Sequence, residues 1–154
     1  MTMRMRISVA LLPVVAMLAA LALMPSSAGA SPLGFPPGTY TTTITDADYP
    51  PGFPEEAKAL GDWELVFTAD GRFLATYEPL GFVVVEGRYV SNPARLVMTE
   101  ESGPFAICAE LVPGGATAVY GWSFDDNELT LTAVRDNCEP RAIVQTSHPL
   151  QLQP

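Results

Sequence analysis

The chain has 154 residues, 48% of them hydrophobic, with seventeen acidic against eight basic side chains and a formal net charge of −9. That length suits one domain plus a leader and leaves no room for a second domain. The acidic balance argues against nucleic acid or an anionic membrane as partner, because neutralising phosphates requires clustered Lys and Arg.

The first thirty residues stand apart. Arg4 and Arg6 precede a run from Ile7 to Met24 without a charge, followed by Pro25-Ser-Ser-Ala-Gly-Ala30. This pattern predicts a secretory signal over residues 1–30, cut after Ala30, with the small residues Ala28 and Ala30 at the peptidase site. An uncleaved anchor is the alternative, since the apolar run is near bilayer-spanning length. Cleavage is favoured because no basic stop-transfer residues follow. It leaves six basic residues against seventeen acidic ones, a charge of −11, which is the solubilising surface expected of a secreted or extracytoplasmic monomer with no membrane partner. Cys108 and Cys138 both lie in the exported part, and an even pair in an oxidising compartment predicts a disulfide.

Residues 31–37, rich in Pro and Gly, read as a flexible leader. Thr39 to Thr45 is a strand by its β-branched and aromatic content. Asp46 to Leu60 is broken by Pro50-Pro51-Gly52 and then opens a short helix at Pro54, a connector expected to cover one end of whatever the strands build. Gly61 to Tyr77 alternates apolar and polar residues on both sides of Asp70-Gly71, which predicts a hairpin with Trp63, Leu65, Phe67, Phe73, Ala75 and Tyr77 on one face.

Phe82 to Val90 is a third long strand, in which Val83, Val85 and Tyr89 are expected to share a face and Gly87 to mark a bulge. Leu96 and Met98 alternate in the next strand, and Glu100-Glu101 reads as a solvated turn. Residues 105–112 lack a clear period. Ala118, Tyr120, Trp122 and Phe124 form one face of the following strand, and Leu129, Leu131 and Ala133 that of its return. Arg141 to Thr146 reads as a last short strand and residues 147–154 as a tail. The sum is an all-β, antiparallel up-and-down β-barrel of about eight to ten strands over residues 38–146, with one short helix near the start and its edges hidden by closure.

Several of these segments resemble exported bacterial lipocalin-like domains of the calycin superfamily. They are Gly38-Thr-Tyr-Thr-Thr-Thr-Ile-Thr45, Gly61-Asp-Trp63, Asp70-Gly71, Gly87-Arg-Tyr89, Tyr120-Gly-Trp-Ser-Phe124, Leu129-Thr-Leu-Thr132, and Asp136-Asn-Cys138 with Arg141. The resemblance implies a structural pair in which the Arg141 guanidinium covers the Trp63 indole. The Thr-Asp-Tyr motif of typical lipocalins is absent.

Catalytic and metal chemistry finds little support. His148 is the single histidine and sits beside Pro149; G-x-S-x-G, P-loop and H-E-x-x-H patterns are missing. Asp125 to Glu128 lacks the ligand spacing of a calcium loop and reads as a turn. No cofactor is expected, and the protein reads as a non-enzyme. The candidate site is the apolar face itself: Trp63, Leu65, Phe67, Phe73, Tyr77, Val83, Val85, Tyr89, Leu96, Met98, Tyr120, Trp122, Phe124, Leu129 and Leu131. Such residues either line a cavity for one small hydrophobic ligand or fill a solid core. The second case would leave a binding or inhibitor module acting through its rim loops.

Overall fold

The computed structural model describes residues 34–154, so the expected signal segment and its cleavage site lie outside the described residues. Eight strands are formed: β1 Gly38–Ile44, β2 Gly61–Phe67, β3 Arg72–Tyr77, β4 Phe82–Asn92, β5 Arg95–Ser102, β6 Thr117–Asp125, β7 Glu128–Arg135 and β8 Leu150–Leu152. Each pairs antiparallel with the next, and β8 pairs with β1, so the sheet closes into an up-and-down barrel without a free edge.

The β2–β3 hairpin has the register that alternation dictates, with Trp63 opposite Tyr77, Leu65 opposite Ala75 and Phe67 opposite Phe73. Its turn closes where Gly71 takes φ +84°, a conformation that a Cβ would oppose. Gly87 answers a different demand. A Cβ there would lie 2.4 Å from the Phe73 ring and 2.2 Å from the Thr99 carbonyl, and the β4–β5 register shifts beside it.

A second bulge alters the predicted face of β4. Val83 pairs with Thr76 and Val85 with Ala75, leaving Val84 as the extra residue. Val84 is therefore the fully buried one, while Val83 is only half-buried beside outward-facing Thr76. Phe124 also departs from expectation. It stands at the end of β6 and is 37% exposed. Ala133 is exposed as well, at the point where β6 and β7 shift register.

The two ends of the barrel differ. At one, tight turns join β2–β3, β4–β5 and β6–β7, the last through Asp126 and Asn127 at positive φ. Residues expected to form a flexible leader plug this end. Phe35 is buried, with its ring 5.0 Å from Phe67, 5.3 Å from Tyr89 and 5.5 Å from Trp122, and the Tyr40 hydroxyl donates to the Pro36 carbonyl at 2.9 Å.

The opposite end carries the long connectors. The first, between β1 and β2, holds two single 3-10 turns, Asp46–Asp48 and Glu55–Ala57, in place of the one short helix expected from Pro54 to Leu60. The β5–β6 connector holds helix α1, Ile107–Leu111, and the β7–β8 connector holds helix α2, Glu139–Thr146. The predicted strand at Arg141–Thr146 is thus helical. Six residues rich in β-branched side chains do not distinguish the two periods, but Pro140 in the first turn and the shared burial of Arg141, Val144 and Gln145 belong to a helix. The expected tail contains β8, whose three residues are too few to show alternation. Leu150 is nonetheless fully buried, and the Leu152 and Gln153 amides donate to Asn127 and Thr39 at 2.8 Å. Among the described residues no helix is long and apolar enough to cross a membrane.

Candidate functional site

Inward side chains fill the tight-turn half of the barrel and leave a cavity of about 360 Å³ under the connectors. Of the candidate set, Trp63, Leu65, Phe73, Tyr77 and Val85 line this cavity, together with Ala75. Phe67, Tyr89, Leu96, Met98, Tyr120, Leu129 and Leu131 are buried but pack into the core elsewhere, and Trp122 is half-buried against it with its indole N–H on the Asn92 carbonyl at 2.9 Å. Val83 and Phe124 do not reach the cavity. Alternation determines which way a side chain points; how far along the barrel it lies decides whether it meets a neighbour or a void.

The first connector roofs part of the cavity through Glu56 to Ala59. It is held by the polar tips of rim aromatics: the Trp63 indole donates to the Ala59 carbonyl at 3.0 Å, Tyr77 donates to the Leu60 carbonyl, and the Ala59 amide donates to the Tyr49 hydroxyl at 2.6 Å. Lys58 pairs with Asp46 and Glu55 and lies 5.9 Å over the Tyr49 ring. At the far end of the same connector, His148 approaches Asp48 at 2.9 Å. Burial pushes the Asp48 carboxyl up, but hydrogen bonds from Thr45 and His148 outweigh it and hold the group below the usual carboxylate range.

The other two connectors bring charge inside. α2 turns Arg141, Val144 and Gln145 toward the cavity, and β5 carries Glu100 in phase with Leu96 and Met98. Arg141 donates to Asp136 through Nε at 3.0 Å and Nη2 at 2.6 Å, and Asp136 also receives the Tyr120 hydroxyl and the Cys138 amide. Arg141 Nη1 lies 3.1 Å from Glu100 Oε1. Burial pushes the Glu100 carboxyl up from its ordinary value, with the Arg141 charge opposing it. Arg141 is therefore engaged by two carboxylates; among the described residues its guanidinium has no cation–π contact with Trp63, contrary to the expected stacking.

Glu100 was expected in a solvated turn and is instead buried. Its spacing of two from Met98 and four from Leu96 was the available signal, masked by the adjacent Glu101 and Gly103, which suggest a turn. Two buried acceptors at this site, Glu100 Oε2 and Gln145 Oε1, have no hydrogen-bond partner among the described residues, and Arg141 Nη1 has only its ion-pair contact with Glu100 Oε1. Each such orphan costs roughly 1–3 kcal/mol. The Cys108–Cys138 disulfide forms and ties α1 to the start of α2, with Cys108 itself on the cavity lining. Comparison of the chain with protein families, curated proteins and solved structures finds no match.

Proposed function

We propose that this protein is an exported, non-catalytic binding protein of lipocalin-like type that holds one small, largely apolar molecule in the connector-end cavity. The observation that carries this reading is a cavity of about 360 Å³, partly open at the connector end and walled by Trp63, Leu65, Phe73, Ala75, Tyr77 and Val85. Small-molecule sites are cavities of roughly 300–1,000 Å³ with apolar walls and a few convergent polar groups. Export is supported by the signal-like first thirty residues and by the disulfide.

Trp63 lies on the cavity wall and Trp122 at the other end of the barrel, so Trp122→Phe leaves one local fluorophore. Titration with toluene or hexane, which have no polar head, is expected to shift Trp63 emission and raise the melting temperature. In Ala75→Phe, which fills the cavity, the affinity for both probes is expected to fall tenfold or more, and the two responses to shrink with it. Absence of any response in the parent protein overturns the reading.

A further inference from the structure

A ligand-binding barrel with a purely apolar cavity needs no charge inside, yet this one directs Glu100, Arg141 and Gln145 into it, at 6%, 8% and 4% exposure. Glu100 Oε2 and Gln145 Oε1 have no partner among the described residues, while Arg141 Nη1 has the Glu100 ion pair alone. Buried polar groups are almost always satisfied, so two orphaned acceptors on residues that line one void point to a missing polar group.

The signs of the charges narrow that group's chemistry. Asp136 takes two nitrogens of Arg141 in a bidentate pair, and Glu100 adds a second carboxylate beside Nη1. Lys58, the other cation on the lining, is held by Asp46 and Glu55. The cluster thus holds two carboxylates for one guanidinium, and its two orphaned atoms, Glu100 Oε2 and Gln145 Oε1, are both acceptors. A carboxylate head would be driven against Glu100, and no unspent cation would receive it. A head that donates finds acceptors, and a hydroxyl oxygen would in turn accept from Arg141 Nη1.

Resting on the binding reading above, we propose that Glu100, Arg141 and Gln145 form a head-group site and that the occupant is a small amphiphile bearing an alcohol or amine, not a fatty carboxylate. The apolar wall at Trp63 and Leu65 takes the chain, and the cluster at α2 and β5 takes the head.

Octanol, octylamine and octanoate share one chain and differ in the head, so calorimetric titration of the full mature protein at neutral pH separates the two ideas. Octanol and octylamine are expected to bind at least tenfold more tightly than octanoate. Glu100→Gln is expected to narrow the gap between octylamine and octanoate at least threefold, and Gln145→Met to weaken octanol with its fold intact by circular dichroism. Octanoate binding as well as or better than the other two overturns the head-group assignment while leaving the binding reading in place. An unchanged gap in a folded Glu100→Gln overturns the role of Glu100. If that variant does not fold, the order among the three heads in the parent protein decides. Failure of all three heads together with toluene and hexane removes the binding reading itself.

Discussion

Phe35 and Glu100 show how single side chains set the two halves of this barrel. Phe35 comes from a stretch whose Pro and Gly content suggests mobility, yet its ring closes the tight-turn end against Phe67, Tyr89 and Trp122. Truncating a buried Phe costs about 3 kcal/mol or more through lost burial and the cavity left behind. Phe35→Ala is therefore expected to lower the unfolding free energy by that amount, seen as a fall in the urea midpoint without a change in slope. Glu100 has the opposite character. Burial raises its carboxyl pKa, so the folded state holds the proton more firmly than the unfolded one. Linkage then gives a contribution that is full below the ordinary value of 4.5 and is lost as pH rises through the raised folded value. Glu100→Gln removes this dependence, so the stability of the variant relative to the parent should increase from acid toward neutral pH. Chemical denaturation across that range checks it; a relative stability that declines would contradict the burial of this acid.

At the scale of elements, the three connectors and the disulfide form one assembly over the cavity. Cys108 on α1 and Cys138 at the start of α2 close a loop of 30 residues in sequence. The chain-entropy model assigns such a closure about 3 to 4 kcal/mol. Reduction, or Cys108→Ser with Cys138→Ser, should lower stability by up to that amount. It should also weaken toluene binding, because α2 carries Arg141, Val144 and Gln145 of the cavity wall. Thermal melts and titrations with and without reductant measure both effects. α2 itself shows why short elements are hard to read. Arg-Ala-Ile-Val-Gln-Thr fits either period, and packing against the barrel mouth selects the helix that buries residues 141, 144 and 145 together.

At the scale of the molecule, closure depends on three residues. β8 pairs with both β1 and β7, and without it each of those strands would present unpaired amides and carbonyls to solvent. A chain ending at Pro149 is expected to lose its cooperative unfolding transition and to associate, seen as early elution in size-exclusion chromatography. A monomeric, cooperatively folding product would show that the barrel does not need its last strand. Most of this architecture was legible beforehand. Alternation in β2, β3, β6 and β7, turn signals at Asp70-Gly71 and Asp125 to Asn127, and paired cysteines point to a closed antiparallel barrel with a disulfide. The bulge at Val84 was not legible, because one extra residue in a run of three valines leaves no compositional trace.

The amino-acid sequence by itself determined the strand pattern and the inward direction of Trp63, Leu65, Phe67 and Phe73, because a period of two is a local property of the backbone. Tertiary structure decided the rest. It chose which inward residues touch one another and which surround a void, drew Glu100 and Arg141 together across 41 positions of chain, and made β8 the closing strand. These outcomes depend on how far along a curved wall each residue comes to lie, a distance that exists only once the sheet has closed.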